Sequence, residues 1–203
     1  MKKILVPTDF SNEAENAVKV AAELAKKHNF EIVLLHMLDL PIQQLNTGSA
    51  PADLPEAMYF MKLAHKQFES VLKKDYLQGI TVTESVDFHD ITKGILETCE
   101  REHIDLIIMG SHGAEGLKEL FIGSNAEKVV RHSNTPVLVI KNNHEHFDIK
   151  EFVFASDFKN DNKETYAQAV KLAKLFDAKI HLLYVNTPSN FVTTATSKVR
   201  IFD

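Results

Sequence analysis

Residues 106–125 read LIIMGSHGAEGLKELFIGSN. The apolar run Leu106-Ile107-Ile108-Met109 has the length and content of a buried strand. From Asn125 onward Ala126, Val129 and Val130 line up as one side of a helix, with Lys128 and Arg131 outward. Between the two lie Gly110, Gly113, Gly116 and Gly123, out of 7 glycines in the chain. A strand that feeds a glycine-rich loop and then a helix presents backbone N–H groups to a phosphate. Glycine suits such a turn because it accepts positive φ and, lacking Cβ, lets an anion approach the backbone. Ser124 adds a hydroxyl, and the helix turns its free N–H groups and the positive end of its dipole toward the loop. The competing reading is a strand-to-helix loop whose glycines serve only turns and close packing.

Strand and helix signals alternate outward from this stretch, which predicts an α/β chain with a doubly wound parallel sheet covered by helices on both faces. Lys3 to Pro7 reads as the first strand. Asn12 with Glu15 suggests a capping box, and Ala14, Ala17, Val18, Ala21, Leu24 and Ala25 form the apolar stripe of a helix ending near His28. Glu31 to Met37 is the second strand. Asp39 to Pro55 carries Pro41, Pro51 and Pro55 and a Gly-Ser pair, so it reads as a long loop before a helix running to about Leu77. Thr81 to Asp87 is the third strand, Ile91 to Glu102 a helix, Leu106 to Met109 the fourth strand and Pro136 to Ile140 the fifth.

Ligands of open α/β sheets sit beyond the carboxyl ends of the strands, where the strand order reverses. Pro7-Thr8-Asp9 and Met109-Gly110 end the first and fourth strands, so these turns could line one crevice. The sequence alone does not fix the strand order.

The chain also repeats itself. Lys3 to Met37 aligns without gaps on Glu151 to Val185, placing Asp9 on Asp157, Phe10 on Phe158, Asn12 on Asn160 and Leu34-Leu35 on Leu182-Leu183. At the same offset Asp203 falls on Pro55, and the second copy has no glycine loop. Residues 1–141 are thus expected to form one complete domain, 142–150 a linker, and 151–203 a partial second domain of first strand, helix and second strand. Two strands and a helix bury little core alone. Either a tandem protein is truncated here, or another chain completes the half domain.

Composition bounds the function. A formal charge of -5 with 44% hydrophobic residues describes an ordinary globular chain, without the basic excess that marks nucleic-acid binding. Cys99, the 1 cysteine, can form no internal disulfide and reads as a small buried thiol in a helix, which argues against redox chemistry. Met1-Lys2-Lys3 precedes an apolar run too short for a signal peptide, and Ile32 to Leu38, interrupted by His36, is too short to span a bilayer. A cytoplasmic location with no membrane partner is the expectation. His144-x-His146 lies in the hydrophilic linker and makes a weak metal pattern, better read as solvated side chains.

Three separated motifs carry a family resemblance. Gly110-x2-Gly113-x9-Gly123-Ser124, the opening Ile4-Leu5-Val6-Pro7-Thr8-Asp9-Phe10-Ser11 and the closing Asn134-Thr135-Pro136-Val137-Leu138-Val139-Ile140 together resemble the universal stress protein family over residues 1–141. The resemblance implies an adenine nucleotide α hydrolase-like, Rossmann-like sheet of order 3-2-1-4-5. It also implies ATP, or AMP or ADP, as ligand, with Mg2+ held chiefly by phosphate oxygens. By the same resemblance Pro7, Thr8 and Asp9 lie at the first turn, Asp9 meeting the ribose or base edge, and Leu38 walls the base. Met109 and Gly110 would approach the ribose, and His112, Gly113, Gly123, Ser124 and Asn125 the phosphates. Two of these keep a second reading. His112 could be a solvated turn residue, and Asp9, whose equivalent Asp157 persists without a phosphate loop, could simply stabilise a helix N-terminus.

No Gly-Lys-Ser/Thr phosphate loop, Ser/His/Asp set or Cys/His set declares itself, and no catalytic residue is assigned. The first-strand turn reads Val-Pro-Thr-Asp-Phe-Ser rather than the Ser-Gly-Gly-x-Asp-Ser of adenylating relatives. The leading expectation is an ATP-binding regulatory module of the stress response. A slow ATPase, with loop dipoles stabilising charge, is a second, and a dimerisation domain that binds no nucleotide a third. Val137-Leu138-Val139-Ile140 is continuously apolar, and such an edge strand invites pairing. Family resemblance implies that it pairs across a two-fold axis in a homodimer, or meets the second domain of a tandem protein.

Overall fold

Ile4, Leu5 and Val6 are all buried, which successive strand residues achieve only in a sheet covered on both faces. The computed structural model describes residues 2–38, 54–88, 90–111, 123–158 and 163–184. In chain order the elements are β1 (Lys3–Pro7), α1 (Asn12–His28), β2 (Glu31–Met37), α2 (Leu54–Leu72), a 3-10 turn (Asp75–Leu77), β3 (Val82–Asp87), α3 (Ile91–Glu102), β4 (Leu106–Gly110), α4 (Ser124–His132) and β5 (Val137–Ile140), followed by β6 (Glu151–Ser156), α5 (Lys163–Phe176) and β7 (Lys179–Tyr184). The first five strands form one parallel sheet of order β3-β2-β1-β4-β5. That is the order the resemblance implied, and it makes the ends of β1 and β4 neighbours.

Strand pleating divides the core in two. Leu5, Val33 and Leu35 pack with Ile95 and Cys99 of α3 and with Ala126 and Val129 of α4. Alternate residues point to the other face, where α1 and α2 lie. The α1 stripe expected from periodicity is buried throughout, joined by Val20 and Ala22. Asn29 ends α1 in the left-handed conformation at φ 56, and its N–H donates to the Ala25 carbonyl.

Local departures from the sequence reading have physical causes. The N-cap of α1 is Ser11 and not Asn12, because the Ser11 hydroxyl accepts from the Ala14 N–H while Asn12 is already helical. Helix α2 stops at Leu72, and Leu77 is buried by the separate 3-10 turn. Val130 is exposed, since the buried stripe of α4 is Ala126 and Val129. Gly110 and Gly123 do not use positive φ; among the described residues the glycine that does is Gly79. The loop expected over Asp39 to Pro55 lies, up to residue 53, outside the described residues.

The chain divides into two units, Met1–Glu145 and His146–Asp203. In the second, β6 and β7 pair in parallel from Glu151↔Lys179 to Ser156↔Tyr184, the register of Lys3↔Glu31 onward at equivalent positions. Hydrogen bonds recur as well. Phe30 N–H donates to Ala25 O at 3.1 Å and Ala178 N–H to Ala173 O at 2.9 Å, while Phe10 N–H donates to Thr8 Oγ1 at 3.0 Å and Phe158 N–H to Ser156 Oγ at 2.9 Å. Phe10 and Phe158 share left-handed backbones, at φ 62 and 52. Burial differs. Leu5 and Leu35 are fully buried, whereas the equivalent Val153 and Leu183 are 63% and 48% exposed. Phe152 and Phe154 pack instead on Phe176 and Tyr166 of α5, with ring centroids 6.1 and 5.3 Å apart.

Candidate functional site

The site is built where β1 and β4 end side by side. Beyond β1, Thr8 is buried; its N–H donates to Leu35 O at 2.8 Å, and its hydroxyl accepts from Phe10 N–H. A hydroxyl that accepts from the amide two residues on makes a tight turn, and this one holds Phe10 at positive φ, where bulky residues are uncommon. Asp9, exposed at the apex, accepts from Ser11 N–H at 3.0 Å and from the Ser11 hydroxyl. The same hydroxyl caps α1, so Asp9 is tied to the helix start through Ser11.

Beyond β4, Ser111 is buried and its N–H donates to Ile140 O at 2.9 Å. Its carbonyl accepts from Gly123 N–H at 2.6 Å. The chain leaving β4 thus returns to its own exit point before entering α4. Gly123 is the N-cap of α4 and has no side chain with which to cap that end. The first N–H groups of a helix have no acceptor within the helix, and here they belong to Ser124, Asn125 and Ala126, of which the first two are exposed. The positive end of such a helix suits an anionic phosphate.

Of the residues singled out from sequence, Pro7, Thr8, Asp9, Met109, Gly110, Gly123, Ser124 and Asn125 lie on these two strand ends and the helix they lead to. Met109 turns its side chain into the core with Leu5 and Val33, so it offers the crevice only backbone. Leu38 is buried just past β2, its N–H donating to Asp87 O at 2.8 Å. His112 and Gly113 lie outside the described residues. Among the described residues no group of three or more His, Cys, Asp or Glu could hold a metal ion. Among the described residues no helix is long and apolar enough to cross a membrane.

Three contributors escaped sequence reasoning: Ser11, Ser111 and His36. Ser11 carried a signal as strong as Asn12, since both types favour N-caps. His36 carried another, being a lone polar side chain in an apolar strand that requires a partner. Its Nδ1 lies 2.8 Å from Thr8 O. Ser111 had no local signal.

A strand order reversing between β1 and β4, with a strand-to-helix turn at the reversal, defines a doubly wound Rossmann-like protein. The model of the universal stress protein family matches residues 1–141. Universal stress protein MJ0577 of Methanocaldococcus jannaschii is 33% identical over 153 residues, covering 69% of this chain and 94% of its own. Universal stress protein MJ0531 of the same organism is 30% identical over 149 residues, covering 69% and 82%. The solved structure of MJ0577 superposes with a TM-score of 0.61 at 34% identity, over 71% of this chain and 98% of that one. UspA of Lactobacillus plantarum, 23% identical, shares the fold with a TM-score of 0.56 over 69% of this chain and 97% of its own. The chain belongs to the universal stress protein family.

Proposed function

We propose that the crevice between β1 and β4 binds an adenine nucleotide, ATP foremost, and that its occupancy regulates contacts with partner proteins in a stress response. The observation that carries this reading is the bond from Gly123 N–H to Ser111 O at 2.6 Å. It brings the start of α4 back to the end of β4, beside β1, which leads into Thr8 and Asp9. Pro7, Thr8, Asp9 and Leu38 would take the adenosine, with the backbone of Met109 and Gly110 along the ribose. His112, Gly113, Gly123, Ser124 and Asn125 would surround the phosphates. Mg2+ would sit on phosphate oxygens, as it commonly does with few protein ligands. The chain's own work is binding and orientation: helix-end amides meet the phosphate charge, and occupancy rather than turnover is the signal.

The recurring register and hydrogen bonds support reading residues 151–203 as a partial second domain of the same kind, joined by a linker over 142–150. Pairing with a second copy, or tandem pairing, and a cytoplasmic location belong to this proposal.

The test is direct. Denaturing the purified chain and chromatographing the supernatant should release an adenine nucleotide, or the apo chain should bind ATP by calorimetry. Ser124→Ala should weaken that binding by about fivefold, the effect of one hydrogen bond near 1 kcal/mol. No released nucleotide together with no ATP-induced thermal shift would overturn the reading in favour of a dimerisation domain. Steady phosphate release abolished by Ser124→Ala would replace it with a slow ATPase.

A further inference from the structure

His36 lies on β2, on the face toward α2, with its Nδ1 2.8 Å from the carbonyl oxygen of Thr8. A carbonyl can only accept, so Nδ1 carries the proton and donates it. This is the third tie on one short turn. Thr8 N–H is held by Leu35 O, Thr8 Oγ1 holds Phe10 N–H, and His36 holds the remaining polar group of Thr8. The imidazole also packs on Phe10, with ring centroids 4.6 Å apart at 40°. Phe10 in turn meets Phe68, fully buried on α2, edge-on at 5.1 Å. A left-handed Phe persists only where its surroundings over-determine it, and here one side chain supplies both a hydrogen bond and a ring contact to the turn.

The second unit supplies the comparison. Tyr184 stands at the position equivalent to His36, and its ring stacks on Phe158 at 6.2 Å and 20°. The ring support is therefore present in both units. A phenol has its hydrogen-bonding group at the far end of the ring and no donor at the δ position. The δ donor occurs in the unit whose sequence carries the glycine loop.

We propose that His36 is a positioning residue for the nucleotide crevice: on a turn whose left-handed Phe both units share, its Nδ1–H adds a tie that orients the Thr8 carbonyl on the adenosine side. The proposal rests on the nucleotide reading above and deepens it.

Three substitutions in the full chain test it. Asn places an amide N–H where Nδ1 stands, Gln carries it one bond too far, and Leu removes it. Calorimetric titration with ATP, at a temperature where circular dichroism shows each variant folded, should leave His36→Asn, which keeps the donor and loses only the ring contact with Phe10, closer in affinity to the unsubstituted chain than either other variant. His36→Leu and His36→Gln should each lose about tenfold, the effect of a misplaced turn together with one lost hydrogen bond. Imidazole nitrogen NMR of the nucleotide-free chain should show the neutral ring protonated at Nδ1. ATP binding by the unsubstituted chain with unchanged affinity in His36→Leu overturns the role of His36 alone. A neutral ring protonated at Nε2 does the same. No binding by the unsubstituted chain overturns the nucleotide reading and this proposal together.

Discussion

A Cβ placed on Gly110 would stand 2.9 Å from the carbonyl oxygen of Glu13 and 3.0 Å from its carbonyl carbon. The end of β4 therefore packs directly on the first turn of α1, and residue 110 is glycine for want of room rather than for its φ. The atoms in the way are backbone, so they yield only by moving α1. Gly110→Ala is expected to cost about 1–3 kcal/mol, as overpacking generally does. A thermal midpoint unchanged from that of the unsubstituted chain would contradict the packing.

Asp9 should matter to stability before any ligand is added. Its carboxylate accepts from both Ser11 donors, and Ser11 caps α1. Asp9→Ala and Ser11→Ala should each lower the free energy of urea unfolding by about 0.5–2 kcal/mol, the range for a lost N-cap. The two act through one connected group, so the double variant should lose less than the sum of the singles. Additive losses would separate Asp9 from the cap.

Cys99 is buried in α3, and burial pushes its thiol up to about 11, with Glu100 adding to the rise against a hydrogen bond with Thr135 that opposes it. The thiolate is the reactive form. Near pH 8 its fraction should fall about a hundredfold below that of an ordinary thiol, before access is considered. Alkylation by iodoacetamide followed by mass spectrometry should find Cys99 unmodified in the native chain and modified after denaturation. Native labelling at the rate of a free thiol would refute its burial.

His28 supplies an acid-side sensitivity. Burial, and then the adjacent Lys27 charge, lower its pKa below the ordinary 6.5. Its Nε2 is buried without a partner, and its ring stacks on Phe30 at 5.4 Å. Between the lowered folded pKa and 6.5 the unfolded chain binds more protons, so stability rises with pH across that window. The contribution is complete above the unfolded value and lost as pH falls toward the folded one. Urea unfolding followed from about pH 8 to about pH 5 should show less acid loss in His28→Gln than in the unsubstituted chain, because the titrating group is gone. Equal slopes would assign the acid loss to other groups.

Much of the architecture was legible because buried parallel strands are unbroken apolar runs. Ile32-Val33-Leu34-Leu35 and Leu106-Ile107-Ile108-Met109 each stand out against polar flanks, and both occupy strands in the sheet. The two turns of the proposed crevice were legible as the ends of the first and fourth strands, and the resemblance supplied the strand order that makes those strands neighbours. Long-range relations were not. The crowding of Gly110 by Glu13 joins residues distant in sequence, so its glycine looked like an adaptation for an anion. The partnership of His36 with Thr8 crosses a strand pair whose register no local pattern reveals. The start of α1 was misplaced by one residue because two adjacent side chains could each cap, and only the Ala14 N–H decided between them.

The bond between Ser111 and Gly123 reaches past this chain. Because strand and helix are buckled together there, whatever is threaded between those residues can be swapped for a segment of another length or charge without asking the sheet to reform. The junction of β4 and α4 is in that sense an insertion port, open to redesign while the scaffold stays as it is.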